Sequence, residues 1–183
     1  MANGTLKVSN IQTSSGSGTI TLGQSGETIA LGATTNNLLT PSFEAYLSSN
    51  QSISHNSATK VQFDTENFDT DNTYDNSTNY RFTPEVAGKY YIYSGINLIN
   101  ASNELQKARA IIYKNGSEYR RTDNDGGSSG TEETMNEFVS AIIDLNGSSD
   151  YIEIYTLIFQ DSGTTNVIGA SYQASYFGAY RLI

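Results

Sequence analysis

Few side chains in this sequence could act as catalysts, because the chain has one histidine and no cysteine. His55, the only imidazole available to a Ser/His/Asp triad, lies in the polar segment 51–57, which is typical of an exposed loop. No nucleophile elbow, a Gly-x-Ser-x-Gly turn between a strand and a helix, presents a serine to it. Paired carboxylates that cleave a glycan stay open as an alternative, since 19 acidic residues are available. We expect a protein that is not an enzyme, with a polysaccharide depolymerase as the enzymatic alternative.

Two acidic segments could bind calcium, which prefers carboxylate and carbonyl oxygens. In the first, Asp123, Asp125 and Glu132 stand at positions 3, 5 and 12 of an EF-hand register. Arg121 stands at position 1, where the first carboxylate belongs, and this excludes a standard EF-hand. Asp123 and Asp125 are nevertheless candidate calcium ligands in an acidic loop.

The second acidic segment contains five carboxylates within twelve residues, namely Asp64, Glu66, Asp69, Asp71 and Asp75. Like charge at this density either attracts a hard cation or stays hydrated in a loop, and both interpretations are open. The last three aspartates are the candidate calcium ligands of this segment. No cofactor is expected to be required.

The overall charge excludes several classes of partner. The net charge is −9 at pH 7 and the pI is near 4.4, so the protein's own field opposes phosphate backbones and anionic lipids. The first residues lack the basic and apolar regions of a secretory signal, and no apolar run reaches 18 residues. We expect no nucleic-acid partner, no membrane insertion and no secretory signal.

Residues 40–183 predict an all-β domain, because short segments with alternating apolar residues recur between turn clusters and helix formers are sparse. Asn115-Gly116 and Asn146-Gly147 each predict a β-hairpin. Nine strands are predicted, at Ser42–Leu47, Thr59–Phe63, Tyr80–Thr83, Gly88–Ile99, Gln106–Lys114, Ser117–Thr122, Thr134–Leu145, Asp150–Gln160 and Ser171–Ile183. This number of short strands without a helix indicates a sandwich.

Residues 1–39 have a different composition, with no aromatic residues and many Gly, Ser and Thr residues. Ser17–Gly23 recurs as Ser25–Gly32, so that Ile20 and Ile29 are nine residues apart. Each copy is predicted to be a short strand, and two copies cannot bury their aliphatic faces within one chain. We expect a repetitive stalk or attachment segment that packs against partner chains. A flexible Gly/Ser-rich tail with a chance repeat is the alternative.

Three stretches of the second part resemble the C1q/TNF-like globular domain. The most specific is Phe82–Tyr93, which is similar to the family's Phe-Thr-x-Pro-x-x-Gly-x-Tyr signature, although Pro84 comes one residue early. Phe63–Thr78 resembles the family's apolar strand, Asn-containing loop and Tyr-Asp-x-x-Thr turn. Tyr176–Ile183 resembles the closing aromatic-Gly-aliphatic strand. The resemblance implies a ten-stranded jelly-roll sandwich over residues 40–183.

The resemblance also implies a homotrimer. Tyr91 and Tyr93 alternate with apolar residues on one predicted strand, so they share a face that is not the core face. In C1q-like proteins that face usually meets the neighbouring subunit, and a terminal strand rich in Tyr and Phe suits a three-fold axis. We expect Tyr91, Tyr93, Tyr176 and Tyr180 at the trimer interface. The alternative is that these tyrosines fill the sandwich core and a solvated face.

A shorter resemblance concerns the segment Thr5–Gln12 and the repeat that follows, which look like the start of structural proteins of tailed bacteriophages. It implies a virion protein, either a tail-fibre tip or a capsid decoration, that joins phage particle proteins through residues 1–39 and binds a host-surface glycan or protein. The alternatives are a cement or collar trimer without a host ligand, and a secreted bacterial lectin or adhesin on the cell surface.

Overall fold

The computed structural model describes residues 39–127, 132–169 and 172–183. The stalk predicted at residues 1–39 lies, up to residue 38, outside the described residues. Within the described ranges no helix is long and apolar enough to cross a bilayer.

The described residues form thirteen β-strands. The strands are β1 (Ser42–Tyr46), β2 (Gln51–Ile53), β3 (Thr59–Lys60), β4 (Thr65–Asp69), β5 (Tyr74–Asp75), β6 (Arg81–Phe82), β7 (Gly88–Asn100), β8 (Leu105–Lys114), β9 (Ser117–Asp125), β10 (Thr134–Leu145), β11 (Ile152–Gln160), β12 (Thr165–Val167) and β13 (Tyr176–Arg181). No helix occurs in this part of the chain, which agrees with the all-β prediction.

The strands form two antiparallel sheets. The first has seven strands, in which β7 is central: it pairs with β10 on one side and with β13 and β12 on the other, and β13 continues to β1 and β4. The second has six strands in the order β5-β6-β11-β8-β9, with β3 also paired to β11. The sheets stack into a sandwich because each presents one apolar face, as the period-2 pattern requires.

The core between the sheets is centred on an aromatic cluster. Phe43 of β1 stacks on Tyr74 with ring centroids 4.5 Å apart and on Phe82 at 4.8 Å, and it meets the edge of Phe177 at 4.8 Å. All four side chains are buried, and the hydroxyl of Tyr74 donates to the carbonyl of Phe63 at 3.0 Å. Each aromatic pair contributes roughly 0.5–1.5 kcal/mol beyond the burial of its area. This cluster joins the two sheets.

Four short strands were not predicted from sequence. β2, β4, β5 and β12 are two to five residues long and mostly polar, so they carry no clear alternation. Each is placed by its partner strand, as when β12 pairs with both β7 and β2. The predicted strand Thr59–Phe63 pairs only at Thr59–Lys60, and the predicted terminal strand is confined to Tyr176–Arg181.

Of the two hairpins predicted at Asn-Gly turns, the structure contains one. Asn115-Gly116 joins β8 to β9 as a hairpin, with positive φ angles of 53° and 75°. The hairpin prediction for Asn146-Gly147 is wrong, because this turn connects β10 of the first sheet to β11 of the second. The Asn146 side chain accepts hydrogen bonds from three backbone N–H groups, those of Ser148, Ser149 and Asp150. It therefore organises a longer crossover loop.

Candidate functional site

The four tyrosines predicted at a trimer interface lie together on one surface of the molecule. Tyr91 and Tyr93 of β7 point away from the core, since the alternating residues Tyr90 and Ile92 are fully buried. In the antiparallel pairing of β7 with β13, Tyr91 lies opposite Tyr180. We call this surface, formed by Tyr91, Tyr93, Tyr176 and Tyr180, the tyrosine face.

The rings of the tyrosine face form a continuous series. Ring centroids are 5.5 Å apart for Tyr91 and Tyr180, 5.8 Å for Tyr91 and Tyr93, and 6.3 Å for Tyr93 and Tyr176. Gly178 of β13 makes room for one of them: a Cβ at this position would lie 2.4 Å from the Tyr93 ring. All four side chains are half-buried in the protomer, so each still offers ring surface to a partner.

A hydrogen-bond network fixes the polar end of Tyr93. Its hydroxyl donates to Oε2 of Glu44 at 2.8 Å, and Nδ2 of Asn67 donates to Oε1 of the same carboxylate at 2.9 Å. Asn67 in turn exchanges two 2.8 Å hydrogen bonds with the amide of Gln173. Burial raises the pKa of Tyr93 well above its usual value, and the bond to Glu44 raises it further. The phenol therefore stays a neutral donor at ordinary pH.

Two apolar side chains that were not predicted as interface residues extend the tyrosine face. Phe138 and Ile142 of β10 are 51% and 58% exposed, and Ile142 lies directly opposite Tyr91 in the β10–β7 pairing. Directly opposed residues of an antiparallel pair share a face, so both lie on the same surface as the tyrosines. The sequence signal was available: in β10 the solvent-facing alternate positions include these two large apolar residues. Large apolar residues in contiguous exposed positions indicate an interaction surface.

The acidic residues Asp123 and Asp125 lie in a strand, where a loop was predicted, because β9 continues to Asp125. Arg109 forms an ion pair with Asp123, and Nε of Arg121 lies 2.8 Å from the other oxygen of that carboxylate. Lys107 lies 3.3 Å from Asp125. Burial raises the pKa of Asp123, but hydrogen bonds from the two arginines outweigh this and hold it below its usual range.

The other candidate ligands are engaged in turns. Asp69 accepts hydrogen bonds from the backbone N–H groups of Asp71 and Tyr74, and Asp71 accepts one from the hydroxyl of Thr70. Asp75 accepts hydrogen bonds from the residues that follow it. Among the described residues, no three acidic or histidine side chains converge closely enough to hold a metal ion. Calcium binding by these five aspartates stays a prediction.

Asp75 organises the loop between β5 and β6, and its removal is expected to destabilise that loop. One oxygen accepts hydrogen bonds from the N–H groups of Ser77 and Thr78, and the other from the backbone and side chain of Asn79. These bonds, led by the one from Thr78, hold the pKa of Asp75 well below its usual range. We expect Asp75→Ala to lower the free energy of unfolding by about 1 kcal/mol, a value reduced by solvent screening.

The pH dependence of this effect follows from the lowered pKa. Asp75 stabilises the fold at pH values above about 4, the pKa of an unfolded aspartate, and the contribution is lost as pH falls through the lower folded pKa. The melting temperatures of wild type and Asp75→Ala should therefore differ at pH 7 and converge in acid. Asp71→Ala, in the same segment with one side-chain bond, is the control and should change little. Parallel melting curves at every pH would contradict the role given to Asp75.

His55 bridges two segments. Its Nδ1 accepts the backbone N–H of Gln160 at 3.1 Å, and its ring meets the edge of Phe159 with centroids 5.7 Å apart. Nδ1 is the nitrogen that a triad aspartate would orient, and here it is occupied by a backbone donor. The observed contacts of His55 are therefore those of a residue that ties the β2–β3 connection to β11.

Comparisons with known proteins support the fold. No family model and no curated protein sequence matches the chain. Among solved structures it is similar to Eiger TNF from S. frugiperda, with a TM-score of 0.55 and 11% identity over 78% of this chain and 92% of that chain. It is also similar to murine APRIL, with a TM-score of 0.56 and 11% identity over 77% and 98% of the two chains. The predicted C1q/TNF-like jelly roll is confirmed.

Proposed function

We propose that the chain is a non-catalytic homotrimeric binding module whose tyrosine face lies against the neighbouring subunits. The exposure of Phe138 and Ile142 beside four half-buried tyrosines carries this proposal. Water contact at such a surface is unfavourable by about 25 cal/mol for each Å² of apolar area. A closed cyclic assembly covers the same patch on every copy. Three-fold symmetry is supported by the C1q/TNF-like jelly roll, through the trimers that the family resemblance implies.

The negative charge of the proposed trimer favours ligands that are not anionic. Three copies at −9 each carry 3 × −9 = −27 formal charges, a field that opposes anionic surfaces. Neutral groups on a target, or contacts assisted by divalent cations, meet no such opposition. The Tyr93 hydroxyl of this face is hydrogen-bonded to Glu44 within the protomer, so a partner can cover it without leaving it unpaired.

We further propose that the trimer is the head of a bacteriophage virion protein, a tail-fibre tip or capsid decoration, that contacts the host surface. The resemblance of residues 5–12 and the following repeat to phage structural proteins supports this placement. Residues 1–39 would join the head to other particle proteins. Three identical loop sets on one axis convert weak individual contacts into retention on a repeating surface, because the second and third contacts are intramolecular.

The mass of the full-length protein in solution tests the trimer. Light scattering on a sizing column should give about 60 kDa, three copies of 19.9 kDa. The reason is the apolar area of the tyrosine face, so the mass should hold at high salt, where surface ion pairs are screened. A mass near 20 kDa at micromolar concentration would leave the tyrosine face solvated and remove the trimer.

A cement or collar trimer without a host ligand is the second candidate, since the same exposed face would serve both. Adhesion to intact host cells separates the two, because a cement protein has no reason to adhere. A secreted lectin or adhesin would adhere as well, and it differs in lacking an attachment to particle proteins through residues 1–39.

A further inference from the structure

A polar cavity of about 480 Å³ is lined by residues between Glu66 and Glu85 and by Ser148, none of which belongs to the tyrosine face. Its wall combines charged groups with amides and hydroxyls, and includes the six residues Arg81, Glu66, Glu85, Asn72, Asn76 and Ser148. We call it the Arg81 pocket. Its volume lies within the range of about 300–1,000 Å³ that small-molecule sites occupy.

The floor of the Arg81 pocket is held in place by buried and hydrogen-bonded residues. Tyr74 is 4% exposed and anchored by its hydroxyl to the carbonyl of Phe63. Asp75 receives hydrogen bonds from the residues that follow it, up to Asn79. A floor fixed in this way costs little ordering entropy when a ligand binds, which favours affinity.

Arg81 is the main hydrogen-bond donor of the pocket. Its guanidinium stacks on the ring of Tyr151, with its central carbon 4.5 Å from the ring centroid. Asp75 is its cross-strand partner, yet none of the ion pairs in the described part of the chain includes Arg81. The stack orients the side chain and leaves its N–H donors for another acceptor.

Acceptors stand on the other walls. Glu66 and Glu85 are exposed carboxylates, and neither forms an ion pair in the described ranges. They would repel an anionic ligand, while Arg81 would repel a cationic one. The chemistry that satisfies both is a neutral molecule with several hydroxyl groups, because each hydroxyl donates one hydrogen bond and accepts others.

We infer that the Arg81 pocket binds a neutral saccharide directly, with Arg81 donating to sugar oxygens and Glu66 and Glu85 accepting from sugar hydroxyls. The inference rests on the proposed host-surface function and assigns it a ligand class and a site. Five of the six wall residues lie within residues 66–85, on β4, on β6 and in the turns beside them, and Ser148 comes from the β10–β11 loop, so the pocket exists only in the folded protomer. One pocket on each copy gives the trimer three equivalent sites.

The test uses the full-length protein on an array of immobilised neutral oligosaccharides ending in glucose, galactose, mannose or N-acetylglucosamine, with sialylated oligosaccharides as charged comparisons. Wild type should bind at least one neutral oligosaccharide in the presence of a chelator. Arg81→Ala should weaken that binding by at least about tenfold, since it removes hydrogen bonds from a charged donor. Glu85→Ala, at an exposed position where folding is not at risk, should weaken it severalfold.

Arg120→Ala is the matched control, because Arg120 is an exposed arginine of β9 outside the pocket, and it should bind as wild type does. Light scattering on every variant shows whether the assembly is intact. Binding that persists in Arg81→Ala and Glu85→Ala, that requires calcium, or that is confined to sialylated oligosaccharides would overturn the inference. Adhesion to host cells without binding to any neutral oligosaccharide would overturn it too, and would leave the host-surface function standing. Absence of both would overturn the two proposals together.

Discussion

Replacing Ile142 with aspartate should yield a folded monomer of about 20 kDa in place of the proposed wild-type trimer of about 60 kDa. Ile142 is 58% exposed in the protomer, so the substitution leaves the core of the sandwich intact. In the proposed trimer the same position would be covered, so each of three aspartates would be buried without a partner at a cost of several kcal/mol. The trimer should therefore dissociate while the jelly roll stays folded.

Light scattering measures the mass, and circular dichroism with a melting curve shows that the monomer is folded. Val86→Asp is the control, because Val86 is also an exposed apolar residue, at 41%, but belongs to the loop before β7. It should keep the wild-type mass. A trimer that survives Ile142→Asp would show that subunits associate through a surface other than the tyrosine face.

The strands that sequence predicts well are those with long alternation of buried and exposed residues. β10 alternates between buried and non-buried residues over all twelve positions, and β7 does so from Lys89 to Asn100 except at Gly95. The predicted bounds of both strands differ from the observed ones by at most one residue. β12 has three residues and is defined by pairing with two distant strands, information that no local pattern contains. Tertiary pairing decides such segments.

The candidate surfaces were likewise predictable where local alternation determines them and not where tertiary pairing does. The alternation of β7 was enough to place Tyr91 and Tyr93 on one face, because the strand period fixes direction. The ion pairs that involve Asp123 and Asp125 depend on the register of β9 against β8, which sequence did not supply. The Arg81 pocket was not predictable for a similar reason: its lining comes from residues 66–85 and from the distant Ser148, and only the folded chain brings these together.

The acidic residues differ in whether other groups of the protein bind their carboxylates. Asp75 is bound by its own loop, and Asp123 by arginines of neighbouring strand positions, so these carboxylates stabilise the fold. Glu66 and Glu85 have no such ion-pair partner in the described ranges and face the pocket. The negative charge is thus divided between structural positions and positions free to contact a ligand, a distinction that net charge alone does not make.

The largest loss of stability from a single methyl group is expected at Gly147. Its φ is +69°, a left-handed conformation that disfavours side chains, and a Cβ there would lie 2.2 Å from the backbone nitrogen of Ala87 and 2.5 Å from the carbonyl carbon of Val86. Both obstacles are backbone, so the β10–β11 loop and the loop before β7 would have to separate. We expect Gly147→Ala to destabilise the protein by about 3 kcal/mol, from strain and overpacking together.

Gly116→Ala separates backbone strain at positive φ from overpacking against a neighbouring loop. Gly116 has a similar φ of +75°, but the nearest atom to a Cβ at this position would be the Tyr151 hydroxyl oxygen at 3.4 Å, an ordinary contact. It should lose only the conformational part, about 1 kcal/mol. At equal protein concentration the melting temperature of Gly147→Ala should lie on the order of 10 °C below that of wild type. The melting temperature of Gly116→Ala should lie between the two, closer to wild type. Equal losses in the two variants would mean that backbone conformation alone limits both turns and that the approach of the two loops contributes nothing.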